Sequence, residues 1–436
     1  MSDWVTFRPA SETGPVDLRQ MQPQAAILPN PVPRPSTHPS IYAVLDLPFG
    51  AVNGYLTTAI AYQLAQAGVS AESIGALIAL SLMPQIWKPL WAPLVDITLS
   101  AKWWYVIGTG LSALGVLAMA ACSAPPVNLT VLTVAAVMAS LATTFLGMGV
   151  EALIAHSTAP EQRGRAGGWL QAGNFAGGGI GGGAALWLGT HVTHTWITGA
   201  VLGACFLLCC FGLLLVRESH RGPRVASPGI RGVLRDLWDV ARSARGYLAL
   251  VVLFLPIGSG GASALFAVIP DDWHSSATAV ALANGTLSGV ISLLGCLTGG
   301  YLSDLFNRKL AYVAYGLVLG LCALGMALTP HDQVNYVFFV LLYAFISGVC
   351  YAGFSAVTLE AIGGGAAATK YNVFASLANI PTAYLSAIEG WARTRHGVNA
   401  FLYVDFAAPI VGALIFGTVL VLTAGRSAQA LKVRVS

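Results

Sequence analysis

The chain has 436 residues, of which 56% are hydrophobic and only 9% charged; its net charge is +4 and its mean hydropathy +0.71. An ordinary soluble domain carries roughly 25% charged residues, so a chain this apolar calls for lipid as its main solvent, and no nucleic-acid partner is expected. Seven cysteines all fall in apolar stretches without a metal-type CxxC spacing, and they read as small packing residues.

Residues 1–40 are polar and rich in proline ("LPNPVPRPSTHP") and are expected to form a disordered tail with polyproline II character. They lack an apolar signal-peptide core, so the first apolar helix is expected to serve as the targeting signal. Twelve apolar segments follow, at 41–66, 74–97, 103–123, 128–153, 167–189, 195–216, 247–269, 277–301, 310–329, 334–361, 371–391 and 400–424. Each is long enough to cross a bilayer, and a long apolar segment satisfies its own backbone there only as a helix. The expected organisation is a six-helix half at 41–216, a linker at 217–246, a second six-helix half at 247–425 and a tail at 426–436. In the linker, Leu234, Leu237, Trp238 and Ala241 recur at helical spacing between arginines, which predicts an amphipathic helix on the membrane surface.

With twelve spans, 20 of the 22 lysines and arginines fall on one side, Lys88 and Lys102 among them. Only Arg393 and Arg395 fall opposite. Basic loops stay in the cytoplasm, so both termini are expected there, in what reads as a bacterial inner membrane.

The two halves repeat. Asp46-Leu-Pro48-Phe-Gly50 aligns with Phe254-Leu-Pro256-Ile-Gly258 at an offset of 208. Asp96 aligns with Asp304 at 208, and Glu151 with Glu360 at 209. Two parallel six-helix repeats are one of the arrangements used by secondary transporters, with the substrate site between the halves.

"GGYLSDLFNRK" (299–309) resembles the loop signature G-x-x-x-D-R-x-G-R-K of the major facilitator superfamily: Gly300, Asp304, Arg308 and Lys309 match, while Leu305 and Asn307 depart. The first-half copy, "APLVDITLSAK", keeps Asp96 and a displaced Lys102. "WKPLWAPLVD", "APEQRGRAGG" and "AAATKYNVFASLANI" are similar to the AmpG-type branch, which includes muropeptide, acetyl-coenzyme A and siderophore permeases. The resemblance implies an all-α membrane protein of twelve helices in two pseudo-symmetric halves. It also implies that the loop aspartates and their basic neighbours latch the cytoplasmic ends of those halves. The gate set is then Asp96, Lys102, Arg163, Arg165, Asp304, Arg308, Lys309 and Lys370.

An acid inside a span costs roughly 2.5–3.5 kcal/mol on insertion scales and is a functional candidate by default. Asp46, Asn53 and Thr57 share a helix face that is expected to border a cavity. Asp46 reads either as a proton site or as the partner of a helix end or basic residue. Glu151 and Glu360 read as gate partners or as proton carriers. Gln171 and Asn174, with Asn372, Ser376 and Asn379, form two further polar stripes, suited either to ligand contact or to helix–helix adhesion. Glu389 and Asp405 are expected to meet Arg393 and Arg395 near the outer surface.

"GNFAGGGIGGG" (173–183) lacks the strand and lysine of a nucleotide loop. Gly173, Gly177 and Gly181 instead predict a close helix seam. The run is also similar to an antiporter signature, with Gly178 in place of its proline. No HExxH or GxSxG occurs, so no enzyme, metal or cofactor is expected. With no ATP-binding motif, an ion gradient must supply the drive. The expected function is a monomeric secondary transporter importing a bulky polar solute with protons, of siderophore or cell-wall sugar-peptide type. A drug–proton antiporter is the alternative, and a non-transporting membrane receptor the second.

Overall fold

The computed structural model describes residues 37–435 except 70, 125, 217–229, 267–268, 364–365 and 398. The expected tail over 1–36, and the linker over 217–229 with its arginines, lie outside the described residues.

Among the described residues the regular elements are all helical. The first span is α1 (Ser40–Gly54), a π-helical turn (Tyr55–Ile60) and α2 (Ala61–Gln66). The second is α3 (Ala71–Trp87), a 3-10 turn (Lys88–Leu90) and α4 (Ala92–Ile97). Spans three to six are α5 (Ala101–Cys122), α6 (Leu129–Ser157), α7 (Arg163–His191) and α8 (Thr195–Cys209). The linker carries α9 (Ile230–Arg242), and the seventh span starts as α10 (Ala244–Phe254). The eighth is α11 (Ala277–Leu282), a π-helical turn (Ala283–Leu287) and α12 (Ser288–Leu305). The last four are α13 (Arg308–Leu328), α14 (Gln333–Ile362), α15 (Ala367–His396) and α16 (Ala400–Val435). Helix α16 thus continues through 426–435, where the sequence suggested a tail.

Short polar caps set the turns between spans. Ser100, Asn128, Ser243, Ser276, Asn307 and Asp332 each accept a backbone N–H from the first turn of the following helix. Among the described residues, seven of these helices are apolar and long enough to cross a membrane. The other five spans are interrupted or hold many of the glycines and polar groups, and they line the centre.

The seventh span departs from expectation. It is not a continuous helix over 247–269: α10 stops at Phe254 and Leu255 turns extended. Leu255 precedes Pro256, and a residue before proline avoids the helical region. Gly260 then adopts a left-handed φ of 64°, and the chain resumes only as a 3-10 turn at Gly261–Ala264. Pro48, in the aligned position, stays inside continuous α1.

The predicted glycine seam is present. Gly173, Gly177 and Gly181 of α7 lie on the backbone of Ala43, Leu47 and Ala51, where any Cβ would collide. Gly295 and Gly299 of α12 lie similarly on α14 at Phe345 and Val349. A third seam joins the two halves, with Gly164 and Gly168 of α7 against Gly300 of α12. That contact lies towards the side carrying α9, called here the linker side.

Candidate transport cavity and gate

A cavity of about 350 Å³ lies between the halves, lined by Asp46, Lys88, Glu151 and Gln171 from the first and by Tyr312, Tyr371 and Asn379 from the second. Its charged centre belongs to the first half. Lys88 Nζ lies 3.4 Å from Glu151 Oε1, and both side chains are buried. Asn372 Nδ2, from the second half, donates to Glu151 Oε2 at 2.6 Å. Asp46 is 5% exposed and within electrostatic reach of Glu151 and Lys88. No hydrogen-bond donor to its carboxyl is found among the described residues. Two ionised carboxylates around one ammonium leave one negative charge in excess, and a single proton cancels it.

Lys88 corrects the sequence reading, which counted it with the basic residues of the cytoplasmic side. The 3-10 turn at Lys88–Leu90 holds it inside, and its ammonium also lies 5.9 Å from the Phe49 ring centroid. The signal was available: Lys88 falls inside the predicted second span, where the rule applied to Asp46 applies equally.

The amides divide. Gln171 Nε2 donates to Ser355 Oγ at 2.9 Å, and Ser355 reaches Tyr371 Oη at 3.0 Å, so this chain of bonds crosses between the halves. Asn174 and Asn379 line the main cavity. Asn53 lines a neighbouring chamber of about 150 Å³ that shares Phe49, Gln85 and Asn174 with the main one. Thr57 is exposed and donates back to the Asn53 carbonyl at 2.9 Å, away from both chambers. Asn372 is fully buried beneath the cavity. Ser376 Oγ is buried with no partner among the described residues and borders neither chamber. A third chamber of about 240 Å³ extends into the second half and shares Gly258, Ser259, Tyr351 and Thr382 with the main one.

On the linker side the halves are tied by two crossed caps. Asp304 of α12 accepts from Gly164 N at 2.7 Å and Arg165 N at 3.0 Å, at the start of α7. Asp96 of α4 accepts from Ala368 N at 3.2 Å and Thr369 N at 2.8 Å, at the start of α15. Neither α7 nor α15 has a side-chain cap of its own, so each takes one from the opposite half. Such a cap contributes about 0.5–2 kcal/mol, and a carboxylate also complements the positive end of the helix dipole.

Basic residues brace the Asp304 cap. Arg165 Nε and Arg308 Nη2 lie 3.1 and 3.2 Å from its carboxylate, and Arg308 also donates to the Pro160 carbonyl across the interface at 2.6 Å. Glu360 bonds Lys309 at 2.6 Å and Arg308 at 3.4 Å, all within the second half. Lys370 pairs with Asp236 of the linker helix at 3.7 Å, and Asp236 also accepts from Ala366 N at 3.0 Å. The sequence did not single out Asp236. Arg163 Nε is buried with no hydrogen-bond partner among the described residues. Lys102, grouped with the gate by its spacing, instead donates to the Val216 carbonyl of its own half at 2.9 Å. Arg393 does not meet Glu389 or Asp405: it bonds Asp272 at 2.7 Å, and Arg395 is exposed.

The Major Facilitator Superfamily matches residues 42–386. The chain belongs to that superfamily. No curated protein sequence matches it. Solved structures similar to it include the E. coli fucose:proton symporter FucP, at 17% identity and TM-score 0.67 over 87% of this chain and 98% of that one. A bacterial homologue of the iron transporter ferroportin in an outward-facing state follows at 15% identity and TM-score 0.62, covering 87% and 98%. The proton:xylose symporter XylE matches at 14% identity and TM-score 0.60, covering 87% and 95%. At these identities the likeness is one of fold. This superfamily member is a multi-pass membrane transporter with a polar, charged cavity between its halves and a crossed pair of caps joining them on the linker side.

Proposed function

We propose that the protein is a proton-coupled importer of a bulky polar organic solute, working by alternating access, with its linker side facing the cytoplasm and closed. The observation that carries this reading is Asp46, a cavity-lining acid with no donor among the described residues, beside the Lys88–Glu151–Asn372 chain. A proton on Asp46 balances the three charges. Its departure puts a second negative charge beside Glu151, which competes for Lys88 and strains the Asn372 bond between the halves. Asp46 is thus the proton carrier and Glu151 the acid that shares Lys88 with it, while Glu360, bound to Arg308 and Lys309 of its own half, belongs to the gate.

Hydroxyl-rich cargo suits the lining of tyrosines, amides and charged groups. The adjoining chambers leave space beyond a single sugar ring, as a siderophore or a cell-wall sugar-peptide requires. Proton coupling is also what the names of the two sugar symporters state for those proteins.

The test is solute-dependent proton entry into proteoliposomes, with a ferric siderophore, an anhydromuropeptide and a simple sugar offered in turn. One solute should move with protons, and Asp46→Asn should abolish uphill accumulation while solute exchange persists. Accumulation unchanged in Asp46→Asn would remove Asp46 from coupling. Solute uptake without any proton movement would overturn symport itself.

A further inference from the structure

The last two spans hold a second pair of acids, outside the main cavity. Glu389 on α15 is fully buried and Asp405 on α16 is 4% exposed. Asp405 accepts a hydrogen bond from Tyr343 Oη at 2.8 Å. The Glu389 carboxyl lies against Gly261 and that of Asp405 against the adjoining Ala262, within electrostatic reach of one another. When both are ionised there is no hydrogen between them, and neither Glu389 oxygen has a donor among the described residues. A buried carboxylate without a partner is strongly disfavoured.

No cation faces the pair among the described residues. The unwound stretch after α10 brings Gly261 and Ala262, α13 brings Cys322, and α14 brings Tyr343 and Cys350. Arg393, one turn along α15, is held by Asp272. One hydrogen on the pair supplies what is missing: it donates from one carboxyl to the other and removes one of two adjacent charges.

The pair also supports the break in the seventh span. A Cβ on Gly261 would stand 2.7 Å from Glu389 Oε1, so the unwound chain rests directly on this carboxyl. Tyr343, which holds Asp405, lines the third chamber together with Gly258 and Gly260 of the same stretch.

We propose that Glu389 and Asp405 bind one shared proton, forming a second proton site that fastens the unwound stretch of the seventh span to α15 and α16. The site stands whether or not Asp46 couples transport. Losing this proton sets two like charges side by side and loosens the stretch that shapes the third chamber.

Two measurements on the full-length protein in proteoliposomes test this. Infrared difference spectra on pH titration should show a protonated-carboxyl C=O stretch in the parent. That band should be absent from Glu389→Gln and Asp405→Asn and retained in Asp46→Asn. Amide hydrogen exchange over 255–264, corrected for intrinsic rates, should rise at least about tenfold as the band titrates. Glu389→Gln, whose amide donates to Asp405 at any pH, should show slow exchange with no pH dependence.

Where Glu389→Gln does not fold, Tyr343→Phe keeps both acids, removes one donor, and should shift the band. The proposal is overturned by a parent spectrum without a C=O band that persists in Asp46→Asn, by such a band surviving both Glu389→Gln and Asp405→Asn, or by exchange over 255–264 independent of its titration. A band lost from the parent on adding sodium at constant pH would give the site to a metal cation and overturn the proton assignment.

Discussion

The two halves repeat one another at the linker-side caps and diverge inside. Asp96 and Asp304 occupy matching positions, and each caps a helix of the opposite half. The aligned interior positions do not match. Opposite Asp46 stands Phe254, 49% exposed on the outside of the bundle; 208 residues beyond Lys88 stands Cys296, fully buried. Glu151 and Glu360 are both glutamate, yet Glu151 bridges Lys88 and Asn372 beside the cavity, while Glu360 bonds Arg308 and Lys309 on the linker side. The difference has a physical basis. Closing one end symmetrically requires a cap at both helix starts, so both copies keep it. A charge in the interior is costly wherever it lacks a counter-charge, so only one half carries the complete set.

Breaking the Lys88–Glu151 pair gives the largest expected effect. Removing one partner of a buried pair costs about 3–5 kcal/mol. Lys88→Met should therefore lower folded yield and thermal stability sharply. Adding Glu151→Gln should recover much of the loss, because it removes the stranded charge. Thermal unfolding in detergent checks both; a double variant no more stable than Lys88→Met would show that the pair is not what Lys88 supports.

Phe254→Asp sharpens the contrast from the other side. If the repeats were equivalent inside, an acid here would enter a second polar cavity at little cost. Because Phe254 faces outward, Phe254→Asp should instead destabilise insertion by roughly 2.5–3.5 kcal/mol. Membrane-inserted yield measures it, and parental yield would mean that this position meets water.

The symmetric element should respond symmetrically, with one bias. Asp96→Ala and Asp304→Ala each remove a cap of about 0.5–2 kcal/mol. Asp304→Ala should act more strongly, because it also releases Arg165 and Arg308. Both should raise the accessibility of cysteines introduced at the linker-side mouth. Equal effects would mean that the arginines add nothing to the cap; no change in either variant would reject the closure role.

Much of this was legible in the sequence, for reasons the structure makes plain. Span number follows from bilayer thickness and needs no tertiary knowledge. The seam of Gly173, Gly177 and Gly181 follows from helical spacing. The break after Phe254 was harder to read, because Leu-Pro-x-Gly occurs at both 47–50 and 255–258. Only the second copy is followed by a further cluster of glycines, Gly260 and Gly261, and that cluster was the usable signal. Pairings were least legible. Arg393 lies four residues from Glu389 and so suggested itself as the partner, yet the fold brings Asp272 to it from 121 residues away. Asp236 reaches α15 across the linker in the same way, and no local pattern encodes such a meeting.

Lys102 yields the smallest effect and isolates what symmetry means here. By spacing it is the first-half counterpart of the bases beside Asp304, so a gate repeated in every detail would require it. Its ammonium instead holds the Val216 carbonyl at the end of the sixth span, a bond worth about 1.5–3 kcal/mol at most as a charge-assisted contact and less where water can replace it. Lys102→Met should thus lower thermal stability slightly and leave the linker-side accessibility at the parental level. Opening of the mouth in Lys102→Met, comparable to Asp96→Ala, would show that the first-half cap depends on a base after all. With the mouth unchanged, the shared requirement of the two repeats narrows to one carboxylate over one uncapped helix, and the bases around Asp304, Arg165 from the first half and Arg308 from the second, are an addition at that cap alone.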